Sequence, residues 1–346
     1  MAPGIVPTED LEAILADAPW QALAGERLFI TGGTGFFGSW LLQSMCAARL
    51  RYGLDLSATV LTRDPIAAAA GLALAPGHDF IQWHQGDLRT FTDPPGAFTH
   101  LLHIATPAST GFSETSSVDM LDILVEGTRR VLELARRAGV KRALLTSSGA
   151  VYGVQPPEME QFEEDYLGCP DCLNPGTTYG EGKRLAEQLF ALYAERHGLE
   201  AVVARCFAFL GPHLPLGGHF AAGNFIADAL EGRPIQVRGD GRPLRSYMYP
   251  TDLVTWLVTM LVHGASGRAY NVGSDQALPL GDLARRVGSL SGVPVEILGA
   301  PDAGPAPRYV PSTERARTEL GLALKVCLEE ALVRTLNWHR GNRTRE

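Results

Sequence analysis

Short apolar runs alternate along the chain with longer segments whose apolar positions recur at helical spacing. The runs have the length of strands and are almost continuously apolar, which is typical of strands covered on both faces of a parallel sheet. Strands are predicted over 27–31, 58–62, 79–84, 100–105, 142–148 and 199–207. Helices are predicted between them over 36–50, 65–75, 118–138 and 178–197. This alternation predicts an α/β fold with a Rossmann-type doubly wound parallel sheet.

The residue composition changes after Gly211 and Pro212, where glycine, proline and polar turn residues become frequent. Shorter helices are predicted near 219–231, 250–263 and 279–291, and two more helices end the chain. We therefore predict three parts. They are an N-terminal extension over 1–26 with a short helix at 8–17, a dinucleotide-binding domain over 27–211 that also carries the catalytic residues, and a region over 212–346 that is mainly a smaller α/β substrate lobe with terminal helices.

The composition argues against nucleic acid, a membrane and a metal ion as partners of this protein. The chain has 346 residues, of which 45% are hydrophobic and 20% charged, and its net charge is −8, which argues against a nucleic-acid or anionic-membrane surface. No apolar run approaches the roughly 20 residues that a membrane span needs. Acids stand near the N-terminus where a secretory signal carries basic residues, and the cysteines are scattered, so a cytoplasmic protein is predicted. Cys169 and Cys172 form one CxxC pair, too few ligands for a zinc site, and no metal is predicted.

The stretch TGGTGFFG at 31–38 follows the first predicted strand and opens the first helix after it. Gly33, Gly35 and Gly38 fit G-x-G-x-x-G, while Gly32, Gly35 and Gly38 fit G-x-x-G-x-x-G. Either spacing describes a tight turn that brings a pyrophosphate to backbone N–H groups at a helix N-terminus. Because strand, turn and helix occur in this order, the stretch predicts a dinucleotide site. The predicted contacts in it are Gly32, Gly35, Phe36, Phe37 and Gly38.

The end of the second predicted strand bears on which dinucleotide binds. NAD sites carry an acid there for the ribose 2′-hydroxyl, whereas an arginine accommodates the 2′-phosphate of NADP. Here Thr62 is followed by Arg63 and then Asp64, so NAD is the predicted cofactor and NADP the alternative. Asp87, in the GDL stretch after the third strand, is placed to bond the adenine amino group. The predicted cofactor contacts outside the glycine turn are Thr62, Arg63, Asp64, Asp87, Leu88, Ala105 and Lys183.

Tyr179 and Lys183 stand four residues apart at the start of a predicted helix, so they share one face. A phenol is a poor base at neutral pH, but a nearby ammonium and a cationic nicotinamide ring favour its phenolate. Such a phenol suits proton exchange with a sugar or alcohol hydroxyl. One strand–helix unit earlier, LLTSSGAVYG at 144–153 places Ser148 at the end of an apolar strand.

Together these motifs resemble those of the extended short-chain dehydrogenase/reductase family, in particular its nucleotide-sugar epimerases and dehydratases. The resemblance runs from about Arg27 to the C-terminus and rests on TGGTGFFG, GDL, TSSGAVYG, YGEGK, ARCFAFLGP, RSYMYPTD and RYVPSTERARTELG, in that order. It implies that Tyr179 is the catalytic base or acid, and that Lys183 is its electrostatic partner and a ribose ligand. Ser148 would bond the reacting oxygen, and Ser147 is expected to face the packed side of the strand.

The residues after Ser148 separate the activities of this family. Its 4,6-dehydratases follow that hydroxyl with acids, which remove the C5 proton and help expel the C6 oxygen. Gly149 and Ala150 cannot transfer protons, so the resemblance favours an NAD(P)-dependent nucleotide-sugar epimerase that oxidises a carbinol, at C4, and returns the hydride. The alternatives are a keto-sugar reductase or nucleotide-sugar dehydrogenase, then a 4,6-dehydratase. A non-catalytic cofactor-binding sensor would have no need for the intact Ser148, Tyr179 and Lys183.

The resemblance further implies that the substrate is a nucleotide-diphosphate sugar. Arg245 and Arg308 would bind the diphosphate, Asn224 the phosphates or the base, and Ser109 and Thr110 would line the sugar pocket. One position departs from the family, because Ala208 stands where an Asn often contacts the diphosphate. This departure leaves the sugar and the nucleotide open.

The helices predicted over 118–138 and 178–197 carry apolar residues on more than one face. Packing on a sheet needs one apolar stripe, so the surplus indicates a second interface. Members of the family commonly dimerise through these two helices, and we expect a homodimer with closed two-fold symmetry.

Overall fold

The computed structural model describes residues 6–72, 75–106, 117–218, 220–300 and 303–343. Its centre is a seven-stranded parallel sheet in the order β3-β2-β1-β4-β5-β6-β9, with strands numbered along the chain. These strands are β1 (Arg27–Thr31), β2 (Ser57–Thr62), β3 (Ile81–Gln85), β4 (His100–His103), β5 (Arg142–Ser148), β6 (Glu200–Cys206) and β9 (Ala269–Val272). The predicted doubly wound parallel sheet is confirmed.

The strand order reverses beside β1, which pairs with β2 on one side and with β4 on the other. In such a sheet the connections leave β1 and β4 in opposite directions, and a crevice opens at their carboxyl ends. Thr31, the last residue of β1, lies opposite Leu61 of β2 and His103 of β4. The glycine turn and the residues after β4 therefore meet at this crevice.

Helices cover both faces of the sheet and enclose two apolar cores. On one face α4 and α5 pack against each other and bury Val131, Leu132 and Phe190. On the other face α2 and α7 bury Trp40 and Trp256. The bounds of the covering helices are α2 (Phe36–Tyr52), α3 (Pro65–Leu72), α4 (Ser117–Ala138), α5 (Thr178–His197) and α7 (Pro250–His263).

The part of the chain after 211 contributes to both the main sheet and a smaller lobe. Its α7 and β9 complete the large sheet layer, and β9 pairs with β6. The smaller lobe holds a three-stranded sheet in the order β10-β8-β12 and a two-stranded parallel sheet of β11 and β7. Its elements are α6 (Ala221–Leu230), β7 (Ile235–Val237), β8 (Leu244–Arg245), β10 (Leu278–Pro279), α8 (Leu280–Ser291), β11 (Val295–Ile297), β12 (Arg308–Tyr309), α9 (Glu314–Leu320) and α10 (Leu328–Arg343).

Several predicted elements differ from the observed ones in their bounds; the strand predicted over 100–105, for example, ends at His103. The strand predicted over 79–84 begins at Ile81, because His78–Phe80 form a 3-10 turn and the pairing with β2 starts only at Ala58 opposite Ile81. Of the helix predicted over 65–75, the structure describes Pro65–Leu72, and residues 73 and 74 lie outside the described residues. The N-terminal helix α1 (Thr8–Asp17) lies against α2 and α7, so residues before β1 contribute to the core.

Candidate active site

The glycine turn joins β1 directly to α2, and sterics require glycine at two of its positions. Gly32 has φ 75°, and a Cβ on it would lie 2.6 Å from the backbone nitrogen of Ala105 beyond β4. A Cβ on Gly38 would lie 2.3 Å from the carbonyl oxygen of Gly32. On the exposed Gly35, by contrast, a Cβ would meet only the Gly32 oxygen, at 3.5 Å. The backbone at Gly35 is thus open at the N-terminus of α2, where a pyrophosphate can approach N–H groups.

The two phenylalanines of the turn lie in the first turn of α2 and are half-buried against the core. The ring of Phe37 meets the ring of Phe209 edge to face, with 4.8 Å between their centroids. Ala105 lies at the crevice, where its N–H donates a 3.2 Å hydrogen bond to the Thr31 hydroxyl. These contacts fix the walls of the predicted cofactor site.

The residues predicted to meet the adenosine are arranged at the carboxyl ends of β2 and β3. The Asp64 carboxylate accepts a 3.0 Å hydrogen bond from the Ala67 N–H and so caps α3, while Arg63 is exposed. The Asp87 carboxylate accepts 3.0 Å hydrogen bonds from the backbone N–H and the Nε of Arg89. The hydrogen bond from the Arg89 side chain lowers the pKa of Asp87, so this carboxylate is ionised at neutral pH.

Leu88, another predicted cofactor contact, packs against α4. A Cβ on Gly127 of that helix would come within 2.7 Å of the Leu88 side chain. Glycine at this position lets α4 approach the segment after β3.

Ser148, Tyr179 and Lys183 are brought together by the packing of α5 against β5. Ser148 is the last residue of β5, and its Oγ accepts a 3.1 Å hydrogen bond from the Ala150 N–H. Tyr179 is a hydrogen-bond partner of Ser148 and lies in the first turn of α5. The Lys183 Nζ lies 6.0 Å from the centroid of the Tyr179 ring. The structure therefore assembles the set that the sequence analysis selected, and the roles of its members stay predictions.

Burial dominates the electrostatics of this set. The Lys183 ammonium is 2% exposed and donates to the Thr106 hydroxyl at 2.8 Å and to the Thr146 carbonyl at 2.7 Å. Desolvation lowers the pKa of Lys183 to about 8. Desolvation also raises the pKa of Tyr179 well above that of a free phenol, and the hydrogen bond from Ser148 offsets only part of this rise. A phenolate at Tyr179 therefore needs further positive charge, which an oxidised nicotinamide ring supplies.

Ser147 lies behind the site. Its hydroxyl donates a 2.5 Å hydrogen bond to the Glu187 carboxylate of α5, which also pairs with Arg205 at 2.8 Å. The Arg205 guanidinium in turn lies 4.8 Å from the centroid of the Tyr152 ring. This network holds the end of β5 on α5 and leaves Ser148 as the hydroxyl beside Tyr179.

Tyr309 is a site residue that the sequence analysis missed. Its Oη lies 3.4 Å from Ser148 Oγ, and its ring packs on that of Phe207 with 4.7 Å between the centroids. Desolvation raises the pKa of Tyr309 to about 12. The only signal in the sequence was its place next to Arg308 in the RYVPS stretch. No spacing rule connects it to Ser148, 161 residues earlier.

The predicted substrate ligands are spread over the smaller lobe. Arg245 of β8 lies opposite Tyr309 of β12, and its guanidinium carbon is 5.8 Å from the centroid of the Tyr309 ring. Arg308 pairs with Leu244 instead, so by strand alternation its side chain leaves from the opposite face. Asn224 donates a 3.1 Å hydrogen bond to the Gly218 carbonyl. Convergence of the two arginines on one diphosphate stays a prediction, and Ser109 and Thr110 lie outside the described residues.

A family model described as the NAD dependent epimerase/dehydratase family matches residues 28–273. The chain belongs to the NAD-dependent epimerase/dehydratase family. The match spans every element that carries the glycine turn, Ser148, Tyr179 and Lys183. Family membership confirms the resemblance inferred from the motifs, the prediction of an enzyme and the choice of NAD as cofactor.

The individual relatives of the chain carry different activities in their names. The chain is 31% identical over 317 residues to UDP-glucuronic acid decarboxylase 1 of Xenopus tropicalis, covering 91% of this chain and 72% of that one. It resembles the NAD complex of UDP-glucose 4-epimerase from Thermus thermophilus at 26% identity and a TM-score of 0.72, covering 91% and 99% of the two chains. It shares its fold with DesIV, a dTDP-glucose 4,6-dehydratase from Streptomyces venezuelae, at 23% identity and a TM-score of 0.78, covering 92% and 98%.

Two further observations bear on partners. Within the described ranges no helix is long and apolar enough to cross a membrane. Within the same ranges no three His, Cys, Asp or Glu side chains are grouped so as to hold a metal ion.

Proposed function

We propose that the protein is an NAD-dependent epimerase of a nucleotide-linked sugar, which oxidises a ring carbinol, at C4, and reduces the resulting ketone on its other face. The observation that carries the proposal is the assembly of Ser148, Tyr179 and Lys183 beside a position that holds no carboxylate, because Gly149 and Ala150 follow Ser148. The substrate class rests on the relatives, whose names specify UDP- and dTDP-linked sugars.

Tyr179, Ser148 and Lys183 have different roles in the proposed oxidation of the carbinol. Tyr179 takes the proton of the reacting hydroxyl as a phenolate and returns it when the ketone is reduced. Ser148 donates a hydrogen bond to the reacting oxygen and holds it beside the phenol. The Lys183 ammonium, anchored by Thr106 and the Thr146 carbonyl, supplies positive charge next to Tyr179. NAD held at the glycine turn would supply the acceptor for the hydride of the carbinol carbon and the donor for its return.

The glycine turn fits this cofactor. Glycine is sterically required at Gly32 and Gly38, and the open backbone at Gly35 allows a pyrophosphate to approach the start of α2. Because β1, β4 and β5 are successive parallel strands of the sheet, the glycine turn and Ser148 at the end of β5 lie along the same carboxyl edge. Cofactor and carbinol would thus meet at the carboxyl edge of the sheet.

Elimination of water from C5 and C6 fits this site poorly. That reaction needs a base for the C5 proton and an acid for the leaving oxygen. A Cβ on Gly149 would lie 2.6 Å from the Phe207 ring and 2.8 Å from the Tyr309 hydroxyl, so the space for a longer side chain is already filled. A 4,6-dehydratase is therefore the less favoured reading.

Decarboxylation of a nucleotide-linked uronic acid is the second candidate. The observation in its favour is the 31% identity to a UDP-glucuronic acid decarboxylase over 91% of this chain. Oxidation at C4 of a uronic acid creates a ketone β to the C6 carboxylate, and such an acid loses CO₂ without an acidic side chain to expel it. The absence of carboxylates at Gly149 and Ala150 is thus compatible with this reaction as well.

One experiment separates these activities. The purified protein, with its retained cofactor identified, is incubated separately with UDP-glucose, UDP-glucuronic acid and dTDP-glucose, and the products are followed by proton NMR. Appearance of the C4 epimer without net change in the cofactor supports the proposal. A pentose product with release of CO₂ favours the decarboxylase, and a 4-keto-6-deoxy product would overturn the argument from Gly149. A separate incubation with a nucleotide-linked keto-sugar and added NADH or NADPH tests the reductase, which stoichiometric consumption of the reduced cofactor would favour.

The expected homodimer also belongs to this proposal. On the outer faces of α4 and α5, Val118 is 70% and Leu185 44% exposed, although both are apolar. Leu121, Val125 and Leu192 on the same helices are half-buried. Two copies of this pair of helices packed about a two-fold axis would cover these side chains.

A further inference from the structure

Three hydroxyl groups from three different elements meet at the end of β5. Ser148 Oγ is a hydrogen-bond partner of Tyr179 from α5, and it lies 3.4 Å from Tyr309 Oη of β12. The distance to Tyr309 is at the long end of the hydrogen-bond range. Ser148 thus stands between two phenols, and the proposed function uses only one of them.

The serine hydroxyl has one proton and two lone pairs. The Ala150 N–H already donates to one lone pair at 3.1 Å. When Tyr179 acts as a base it carries no proton, so the Ser148 proton is best used toward Tyr179 or the reacting oxygen. This orientation leaves the second lone pair of Ser148 to accept a hydrogen bond.

Tyr309 is suited to donate that hydrogen bond. Its burial keeps the phenol protonated at neutral pH, and the Ala150 backbone hydrogen-bonds its oxygen as well. Its ring packs on that of Phe207, with 4.7 Å between the two centroids. The guanidinium carbon of Arg245 lies 5.8 Å from the centroid of the Tyr309 ring. Either hydroxyl can be the donor in this contact, and when Tyr309 donates, the Ser148 proton is directed away from it, toward Tyr179 and the reacting oxygen.

We propose that Tyr309 is a positioning residue that accepts no proton in the reaction but holds the Ser148 hydroxyl as a donor toward Tyr179 and the reacting oxygen. This inference rests on the proposed roles of Ser148 and Tyr179.

The absence of a side chain at Gly149 provides the space that the Tyr309 phenol occupies. A Cβ on Gly149 would lie 2.8 Å from the Tyr309 oxygen and 2.6 Å from two atoms of the Phe207 ring. Any side chain at position 149 would therefore displace the phenol. Gly149 therefore has two consequences: it leaves the site without a carboxylate at this position, and it leaves room for the phenol of Tyr309.

Other titratable and charged groups face these hydroxyls, and their influence on the ionisation of Tyr179 must be separated from that of Tyr309. They are the Cys206 thiol at the end of β6, the Arg245 guanidinium of β8 and the Lys183 ammonium of α5. Burial raises the pKa of Cys206 to about 12, so the thiol is neutral at pH 7. Lys183, whose pKa lies near 8, titrates close to the pH range of interest. The ionisation of Tyr179 must therefore be read directly and not from a rate profile alone.

The test compares Tyr309→Phe with the unchanged protein, both loaded with NAD⁺. Phenylalanine keeps the ring on Phe207 and removes only the hydroxyl. The ionisation of Tyr179 is read as the phenolate absorbance near 295 nm, after subtracting the same titration of the matching Tyr179→Phe variant. We expect the pH of half-ionisation to rise by about half to one unit in Tyr309→Phe, the size of one hydrogen bond.

Two further variants sharpen the result. Gly149→Ala should raise the half-ionisation pH of Tyr179 in the same direction, because its Cβ displaces the phenol. Tyr247→Phe removes a neighbouring phenol that faces Arg245, and it should leave that pH unchanged. An unchanged ionisation of Tyr179 in Tyr309→Phe would overturn the inference.

The turnover of Tyr309→Phe provides the second readout. A positioning role predicts a three- to tenfold loss below the half-ionisation pH and recovery above it, whereas an equal loss at every pH would contradict it. The absorbance titration needs no substrate. Failure of the proposed epimerase activity therefore leaves the test of Tyr309 intact.

Discussion

The hydroxyl of Tyr249, at the start of α7, donates a 2.7 Å hydrogen bond to the buried carboxylate of Asp10 in α1. Arg334 of α10 pairs with the same carboxylate. Asp10 is fully buried, and desolvation raises its pKa despite these two partners. The segment before the first strand is thus bound into the core by a contact that joins both ends of the chain to α7.

Removal of this hydroxyl tests how much the N-terminal segment contributes to stability. Tyr249→Phe should lower the free energy of unfolding by about 1–3 kcal/mol, because the buried Asp10 carboxylate loses a donor. Urea unfolding of the variant, of Asp10→Asn and of the double variant measures the coupling between the two groups. Strict additivity of the two single changes would show that the hydrogen bond contributes nothing.

Tyr179→Phe tests the assignment of the acid–base residue. Turnover should fall by about 10²–10⁴-fold, the usual contribution of general acid–base catalysis, because the ring remains but the proton carrier is lost. The amount of NAD retained through purification should stay the same, since the phenol is not needed for the glycine turn. Product formation at the original rate would refute the role given to Tyr179.

Alanine substitutions in the glycine turn distinguish packing from cofactor approach. Gly38→Ala should destabilise the cofactor-free protein by about 2–3 kcal/mol, since its Cβ would lie 2.3 Å from the Gly32 carbonyl oxygen. Gly35→Ala, whose Cβ would meet only that oxygen at 3.5 Å, should cost no more than about 1 kcal/mol. It should nevertheless weaken NAD binding, measured by calorimetry. Equal stability of the two variants would contradict the steric argument.

The buried His103 should make the free energy of unfolding fall at acidic pH. Its ring lies between the hydroxyls of Thr31, at 2.7 Å, and Thr128, at 2.9 Å, and burial lowers its pKa to about 3. The unfolded chain binds a proton there near pH 6.5, while the folded chain does so only near pH 3. Stability is therefore lost as the pH falls through this window, by about 1.4 kcal/mol per unit.

The matching variant for that prediction is His103→Asn, which keeps an amide donor and acceptor and removes the titratable ring. Unfolding free energies measured by urea between pH 6.5 and 4 should fall more steeply for the unchanged protein than for the variant. Parallel curves would show that another group causes the acid lability.

Leu185→Glu tests the expected dimer. A charge on the outer face of α5, where Leu185 is 44% exposed, should convert the dimer to a monomer by placing like charges across the two-fold axis. Sedimentation velocity reports the change in mass. Leu173→Glu is the matched control, because Leu173 is 89% exposed and precedes α5, and it should leave the mass unchanged. A monomer before any substitution would contradict the proposal.

Most of the sheet and its helices could be predicted because their signal is local. Apolar runs mark β1, β2, β5 and β6 within a residue or two of the observed bounds. The short strands after residue 211 were not predicted, neither β9 of the main sheet nor β7, β8, β10, β11 and β12 of the smaller lobe. Runs of two to four residues, such as Leu244–Arg245, carry no periodicity, and their pairing depends on segments far along the chain.

The same division holds for the site. By itself the sequence determined the glycine turn, Ser148 and the Tyr179–Lys183 pair, because each is set by spacing within one turn or one strand–helix unit. Only the tertiary structure decided that Tyr309 joins Ser148 and that Asp10 meets Tyr249. These contacts span 161 and 239 residues. Local patterns cannot encode them, because they arise when separately formed elements pack and the space left by one residue, such as Gly149, is filled by another.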